Sequence, residues 1–579
     1  MQEDITVQTE VIDDVVVLLE QMKRMGLAEI IDEQIGRRGS EKGLSWGWTI
    51  SIWLAHMISQ GDHRKLPVRD WANGIHNTLE LITGLPLKET DFTDDRLTIA
   101  LQYLSDDPVW HGIERSLGRN LIRVYDLQNK TIRVDATTVS GYREGGENSF
   151  WQFGHSKDNP ALRQIKVMMA TIDPLGFPSV LDVVAGQHAD DRLYVPIIER
   201  VVSHLEQEDL LIVGDCKMSA LPTRAFIQRK KQRYLTPLSQ IGETAQLMPG
   251  WIEEGRAKGE QLIKVFFDDG KEKKMIAEGY EIKRSCSCED LTWEERVLIV
   301  HSPAYAAKQQ EALHKRIEKA KAAILALTPA IGKGKRQIRD EGKLVEAAEA
   351  ILTTSDVKGL LSYSFTCERS FIEKFVGRGR GSQTRQKSVV EVVRYQITGV
   401  EAIEEAIAAR CATLGWRAYA TNASDTHLSF EEAILEYRNE YVVERGFGRL
   451  KGKQLQIAPM FVKRDDQVLG LTRLLSLAVG ILTLVEFVVR QALRKLGTTI
   501  AGLYLDSANK VTETPTAERI LRAFNKITRT RIVLPDRIVY HVSPLKPAQQ
   551  QILALLGFPA DLYAALARPP LSDERRAIA

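Results

Sequence analysis

The chain has 579 residues, 44% of them hydrophobic, so it can bury more than one core and is too long for a single ordinary domain. Its 78 basic and 76 acidic side chains leave a formal net charge of only +2, so bulk charge does not indicate a nucleic-acid partner and any basic surface must be local. Five thinly spread cysteines exclude a disulfide scaffold and suit a reducing cytosol.

Residues 1–125 are predicted to form a helical N-terminal domain. The segment VVVLLEQMKRMGLAEIIDEQI has apolar residues at helical spacing, and Thr93 is a candidate N-cap for the helix in FTDDRLTIALQYL. The first residues, MQEDITVQTEVIDD, are acidic and polar, whereas a secretion signal would be basic and then apolar. We therefore expect no export.

Residues 126–240 change to short β-type runs and predict the first part of an α/β core. The runs TIRVDATTV, IKVMMATID and FPSVLDVVAG are followed by a helical RLYVPIIERVVSHL and a further strand, LLIVGD. Three strands, a helix and a strand are typical of an α/β arrangement.

Residues 241–421 are predicted to form a β-rich insertion with helical segments. KVFFDDGKEKKMIAEGYEIK carries an Asp-Gly turn between alternating runs, which predicts a hairpin. Charged helical segments follow near 304–353, and strand-like sequence then continues to about 421. The basic stretches GKGKRQIR and VGRGRGSQTRQK could hold phosphates, although a solvated linker is the ordinary interpretation of each.

Residues 422–495 are predicted to complete the core, and residues 496–579 to form a helical C-terminal region. The most apolar window, LLSLAVGILTLV, has 12 residues between Arg473 and Glu486. About 20 apolar residues are needed to span a bilayer. We therefore expect a buried core helix over 468–492 and no membrane partner.

Two of the predicted strands end on an acid, Asp135 in IRVDATTV and Asp215 in LLIVGDCKMSA. A carboxylate at the end of a buried strand is costly unless it is paired or binds a metal. N-capping of the next helix or turn is the ordinary explanation for one such acid, and Asp215 before the helical ALPTRAFIQRK fits it. If the strands follow the order of a ribonuclease-H-like sheet, however, the first and fourth are adjacent, and both acids could reach one pair of divalent ions.

A third oxygen ligand would then come from Glu444, in YVVERGFGRLKGK. At about 100° per residue, one stripe of a continuous helix spans about 80° and holds this acid with aromatic and basic residues. The stripe comprises Tyr437, Tyr441, Glu444, Gly448 and Lys451. The simpler alternative is an amphipathic helix on which Glu444 pairs with Lys451 or Arg445 at the surface.

These motifs resemble the DDE transposases of insertion sequences, specifically the IS4-like group and its branch resembling IS1634. VDATTVSGY resembles the first family motif, VGDCKMSA the second, and ATNASDTHLSFEEAILEYRNEYVVERGFGRLK the approach to the third acid. Tyr437, Glu444 and Lys451 match the family's helix signature, but Glu440 occupies its Arg position, which leaves Arg438 or Arg445 to take over that role. The resemblance spans about residues 90–490.

The resemblance implies a multidomain α+β protein with a ribonuclease-H-like core, and a transposase that cuts its element's ends and joins the 3′-OH ends to target DNA. Asp135, Asp215 and Glu444 would be catalytic and would hold two Mg²⁺ ions, with Mn²⁺ as a substitute. The candidate DNA contacts are Tyr437, Arg438, Tyr441, Arg445 and Lys451.

The resemblance also implies double-stranded DNA as the partner, at the element ends and the target, and a homodimer in a synaptic complex. The N-terminal domain would bind the DNA ends, excision could pass through a hairpin, and the protein would be cytoplasmic and nucleoid-associated in a prokaryotic host. Two alternatives stay open. One is a ribonuclease-H-like nuclease that cuts without joining, and the other is a transposase-derived DNA-binding protein without catalysis.

Overall fold

The computed structural model describes most of the chain, namely residues 5–36, 43–125, 131–147, 149–156, 158–268, 272–332, 334–335, 337–376, 386–439, 441–504, 506–507 and 509–570. One strand and seven helices make up its N-terminal part: β1 (Thr6–Val11), α1 (Val15–Arg24), α2 (Leu27–Ile35), α3 (Trp46–Gln60), α4 (Leu66–Gly74), α5 (His76–Thr83), α6 (Asp94–Ser105) and α7 (Asp107–Tyr125). The predicted N-cap of α6 is confirmed, since the Thr93 side chain accepts a hydrogen bond from the backbone N–H of Arg96.

The predicted α/β core is confirmed. It is built from β2 (Thr131–Gly141), β3 (Arg163–Ile172), β4 (Phe177–Ala185), α8 (Tyr194–Leu205), β5 (Leu211–Gly214), α9 (Leu221–Arg229) and β6 (Arg233–Pro237). The strands lie in the order β4-β3-β2-β5-β6, and β3 is antiparallel to both of its neighbours, β2 and β4. β5 runs parallel to both β2 and β6, so the first and fourth strands of this core are adjacent.

The segment predicted as a β-rich insertion contains α10 (Gly242–Lys258), β7 (Ile263–Asp268), β8 (Lys273–Cys288), β9 (Leu291–His301), α11 (Pro303–Leu325), α12 (Glu341–Thr354), β10 (Leu361–Phe375), β11 (Lys387–Ala402), α13 (Glu404–Cys411) and β12 (Trp416–Thr421). β12 pairs with β6 and β9, so β12, β9, β8 and β7 extend the core into one nine-stranded sheet. The predicted hairpin is confirmed by the antiparallel pairing of β7 with β8.

The two basic stretches of the insertion are only partly described. In VGRGRGSQTRQK, residues 377–385 lie outside the described residues, as do 333 and 336 in GKGKRQIR. β10 and β11 lie on either side of VGRGRGSQTRQK and pair with each other. They pack with α11 and α12 around a separate small core that includes Leu313, Leu344 and Ile397.

The last part of the chain contains α14 (Phe430–Arg438), α15 (Tyr441–Lys451), α16 (Asp465–Leu496), α17 (Ala517–Arg522), β13 (Thr528–Val533), β14 (Ile538–Val542) and α18 (Pro547–Leu556). The prediction that both ends of the chain are helical is wrong in one respect, because β1, β13 and β14 form a three-stranded sheet. Within it, Glu10 is buried and accepts hydrogen bonds from the backbone N–H groups of Asn77 and Thr78 at the start of α5.

The prediction of one continuous helix through Tyr437 and Lys451 is also wrong. α14 ends at Arg438, and the backbone N–H of Asn439 closes it by donating to the carbonyl of Glu436. Asparagine favours such ends because its side chain competes for backbone hydrogen bonds. Glu440, which occupies the family's Arg position, lies outside the described residues.

The apolar helix α16 is the centre of the largest core. It has 32 residues, and of the described helices it alone is long and apolar enough to cross a membrane, but 94% of its most apolar window is buried inside the protein. It packs with N-terminal helices, one face of the β2–β4 strands, α15 and α18 in a single hydrophobic cluster. The predicted buried helix is therefore confirmed, although it is longer at both ends than predicted.

Candidate active site

The sheet register places the two aspartates side by side, although the prediction that a strand ends at Asp135 is wrong, because β2 continues to Gly141. β2 and β5 pair in parallel with Val134 opposite Gly214. Asp135 and Asp215 are the next residues on the two chains, and neighbouring strands lie about 4.8 Å apart. Both side chains are partly exposed, so they stand at an accessible position of the sheet.

One oxygen of the Asp215 carboxylate is held by two donors. The Tyr194 hydroxyl donates to Oδ1 at 2.7 Å, and the backbone N–H of Lys217 donates to the same oxygen at 2.8 Å. Oδ2 has no hydrogen-bond partner within the described part of the chain. Asp215 does not cap α9, whose N-cap position is Ala220. Asp215 instead caps the turn at 216–219, since the backbone N–H of Lys217 donates to its side chain and that of Met218 to its carbonyl.

Tyr194 connects the two aspartates electrostatically. Its side chain is almost completely buried at the start of α8. Burial raises its pKa well above the ordinary value, and the negative charges of Asp215 and then Asp135 raise the pKa further. The phenol therefore stays neutral and remains a hydrogen-bond donor. Because the charges of both aspartates raise the pKa of one hydroxyl, the two carboxylates lie near the same point of the sheet.

A buried lysine pairs with an acid whose charge also acts on Tyr194. Lys166, on β3, is only 5% exposed and pairs with Asp190, and its ammonium group also donates to the carbonyl of His188. Asp190 is therefore engaged in an ion pair, and Ala189 occupies the N-cap position of the short 3₁₀ helix there.

Glu444 lies on α15, which crosses the sheet above Asp135. A Cβ atom on Gly446 would lie 3.3 Å from Sδ of Met169, and Met169 is opposite Asp135 in the β2–β3 register. Val443 is buried and lines a small cavity together with Asp135 and Tyr437. The helix that carries the third acid therefore packs directly over the first.

The carboxylate of Glu444 is exposed and forms no ion pair or hydrogen bond with any described residue. Glu444 does not form the predicted surface pair with Lys451 or Arg445, because each of these residues pairs with another acid. Lys451 Nζ lies 3.0 Å from Asp158, and Arg445 contacts Glu486. No described residue therefore gives the Glu444 carboxylate a role in stabilising the fold.

The three acids do not form a closed cluster. Within the described ranges, no three His, Cys, Asp or Glu side chains lie close enough together to hold a metal ion. The structure brings Asp135 and Asp215 together and leaves Glu444 on the neighbouring helix.

The candidate DNA contacts separate into two groups. Tyr437 and Arg438 belong to α14, where Tyr437 packs on the Tyr419 ring with centroids 4.9 Å apart and Arg438 lies 5.1 Å from the Phe267 ring. The other three belong to α15: Tyr441, Arg445 and Lys451. Tyr441 is exposed, and with Arg445 it lines a cleft on the side of α15 that faces α16.

The sequence interpretation missed Tyr194 and Lys166. Tyr194 lies in the apolar stripe of α8 and carries no local sign of its hydrogen bond to Asp215. Lys166 could have been noticed, because a lysine inside the apolar strand IKVMMATID must find a buried partner.

A family model described as the transposase DDE domain matches residues 127–479, a segment that contains all three candidate acids. This segment is more than half of the chain. The protein therefore belongs to the transposase DDE domain family, whose members generally use divalent metal ions. Its membership also implies DNA as a partner.

Among solved structures, the chain is similar to the piggyBac transposase in a cryo-EM structure of its synaptic complex with hairpin DNA. The identity is 8% and the TM-score 0.31, over 97% of this chain and 82% of that one. A TM-score this low does not establish a shared fold. No curated protein sequence matches the chain.

Proposed function

We propose that this protein is a DNA transposase of the IS4-like group, in the branch resembling IS1634. It binds the ends of its own insertion sequence, cleaves them and joins the freed 3′-OH ends to target DNA. The observation that supports this most strongly is the parallel register of Val134 and Gly214, which sets Asp135 beside Asp215 in a chain of the DDE family. The order β4-β3-β2-β5-β6 supports a ribonuclease-H-like core.

Asp135, Asp215 and Glu444 are the residues that would hold two Mg²⁺ ions, or Mn²⁺ in their place. Bound there, the ions would activate the attacking oxygen and stabilise the leaving one. The donor set fits, because carboxylates are preferred ligands of Mg²⁺ and Oδ2 of Asp215 is not used by any described donor. Glu444, on the helix that packs over Asp135, would complete the donor set.

The chain's own contribution is positioning. Tyr194 and the backbone of Lys217 fix Oδ1 of Asp215, which orients its other oxygen. Lys451 ties the end of α15 to Asp158 in the loop that precedes β3. Holding catalytic groups in fixed positions can supply a large part of the rate enhancement.

The remaining assignments extend this proposal to the whole chain. Residues 1–125 bind the element ends, residues 126–240 and 422–495 form the catalytic core, 241–421 form the insertion, and 496–579 form the C-terminal region. The partners are double-stranded DNA and a second copy of the chain in a synaptic complex, and excision passes through a hairpin. The protein works in the cytoplasm, associated with the nucleoid of a prokaryotic host.

The test is a cleavage and joining assay on the DNA that flanks the encoding gene. Labelled end fragments are incubated with the protein and a target plasmid, with Mg²⁺, Mn²⁺ or chelator. We expect nicking at the element ends and covalent joining to the plasmid, both dependent on the divalent ion. Cutting without joining would favour the nuclease alternative, and tight binding without any cutting would favour a DNA-binding protein without catalysis.

A further inference from the structure

The flank of α15 that faces α16 borders a basic cleft. The cleft has a volume of about 300 Å³ and reaches the turn between β3 and β4. Its guanidinium groups come from both helices, and we call this site the arginine cleft: Arg445, Arg449, Arg490 and Arg494. It lies on a different side of α15 from Lys451, which pairs with Asp158.

Positive charge in the arginine cleft exceeds negative charge. Glu486 is the acid among its lining residues, and this buried carboxylate is shared by Arg445, Arg449 and Arg490. Arg449 has a second acidic partner, Glu518, at 3.2 Å. Two carboxylates cannot neutralise the four guanidinium groups of the cleft, so the site retains a net positive charge.

Arg494 has no acidic partner at all among the described residues. Its exposed side chain stands at the cleft as a free guanidinium group. Guanidinium groups bind phosphate oxygens through paired hydrogen bonds and are the usual choice for phosphate recognition.

Burial and mutual repulsion both act on three of the guanidinium groups in the cleft. Burial, together with repulsion from Arg449 and Arg490, lowers the pKa of Arg445 to about 10. Burial also lowers the pKa of Arg449 and of Arg490. An anion in the cleft would offset this repulsion, since opposite charges stabilise each other's charged form.

The basic surface is longer than one small anion. A second cavity of about 450 Å³ shares Arg445, Arg449 and Glu486 with the arginine cleft, and it adds Lys453 and Arg522. The two cavities therefore follow one another along α15. A chain of successive phosphates matches such a path better than a single free phosphate does.

We propose that the arginine cleft binds a backbone phosphate of DNA at a distance from the site of cutting. The inference rests on the proposed function, because it takes DNA as the ligand. Met169 lies opposite Asp135, and Pro174 at the cleft is five residues further along the chain. β3 ends at Ile172, so three of these residues advance about 10 Å along the strand direction, and Pro174 lies in the turn beyond it. The phosphate bound in the cleft is thus not the one that is cut.

The experiment compares Arg494→Gln with Lys495→Gln, a matched control that removes one positive charge from the next residue of the same helix, which does not line the cleft. Binding of a labelled element-end duplex is measured by fluorescence anisotropy, without divalent metal, over a range of salt concentrations. Each phosphate contact contributes about 0.9 to the slope of log K against log salt. We expect Arg494→Gln to make this negative slope shallower by about 0.9 and Lys495→Gln to leave it unchanged.

Equal slopes for Arg494→Gln and wild type, or the same loss in both variants, would overturn the assignment. Calorimetry with inorganic phosphate distinguishes the source of the anion. Phosphate binding that Arg494→Gln abolishes, together with an unchanged DNA slope, would assign the cleft to free phosphate and also overturn the proposal. If wild type binds no DNA, the proposed function itself fails, whereas wild-type binding with an unaffected variant rejects the cleft alone.

Discussion

The hydrogen bond from Tyr194 fixes one oxygen of a carboxylate that the proposed metal site requires. Asp215 receives this bond at 2.7 Å from a phenol that burial keeps protonated. Residues that orient a metal ligand in this way influence metal affinity without touching the metal. Tyr194 is accordingly a positioning residue, and its effect should be visible in the metal dependence of the reaction.

Tyr194→Phe removes the donor and keeps the ring in place. We expect the concentration of Mn²⁺ or Mg²⁺ needed for half-maximal cleavage to rise by about 10- to 100-fold. Cleavage at saturating metal should be largely retained, because the three acids remain. The measurement is a metal titration of end cleavage.

Tyr563→Phe is the matched control, since its hydroxyl is also buried but donates to the backbone carbonyl of Asp13, far along the chain from the site. Each substitution should cost about 1 kcal/mol of stability, so a general loss of stability would affect both alike. A metal titration of Tyr194→Phe that overlays the wild-type curve would contradict the positioning role.

At the scale of elements, α16 and α6 pack closely enough to require a glycine. A Cβ atom on Gly470 would lie 2.1 Å from the backbone carbonyl oxygen of Leu101. A backbone carbonyl within a helix cannot move aside cheaply, so the two helices would have to separate.

Gly470→Ala is therefore expected to destabilise the protein by about 1–3 kcal/mol, the usual cost of overpacking. Gly118→Ala in α7 is the control, because nothing lies within 4 Å of a Cβ there. An alanine in a helix is favoured over glycine by about 1 kcal/mol, so the control should be neutral or stabilising. The unfolding temperature of each variant by calorimetry checks this, and a Gly470→Ala variant as stable as Gly118→Ala would refute the close contact.

The end of α15 is tied to the loop before β3 by Lys451 and Asp158, with Nζ 3.0 and 3.1 Å from the two carboxylate oxygens. We expect Lys451 to exchange this partner for a DNA phosphate. Lys451→Ala should lower the salt slope of end binding by about 0.9. Asp158→Asn should leave the slope unchanged, because it frees the lysine. Identical changes in the two variants would mean that Lys451 serves only the ion pair.

At the scale of the whole molecule, the two ends of the chain are built into one structure. β1 pairs with β13 in a register that joins Thr6 to Val533, and one hydrophobic cluster extends from the N-terminal helices through α16 to α18. The strands β2–β4 lie against this cluster. The proposed active site therefore rests on packing contributed by segments from both ends.

The sequence predicted what is encoded locally. Asp135 and Asp215 could be identified because an acid at the end of an apolar run is visible in a few residues, and the apolar run of α16 predicted its burial. The strand β1 could not be predicted, since its partner β13 lies more than 500 residues away. The break at Asn439 was missed because the helical spacing of apolar residues continues across it.

Asp135, Asp215 and Glu444 are proposed to hold metal and not DNA. The most direct measurement compares binding and cutting of one element-end duplex by wild type and by Asp135→Asn, Asp215→Asn and Glu444→Gln. Each change removes a charge and preserves the shape of the side chain. We expect the affinity without metal to be unchanged or higher, and metal-dependent cleavage to fall by several kcal/mol of transition-state stabilisation, about 10³-fold or more. A variant that cuts at the wild-type rate, or one that loses binding and cutting together, would contradict the claim.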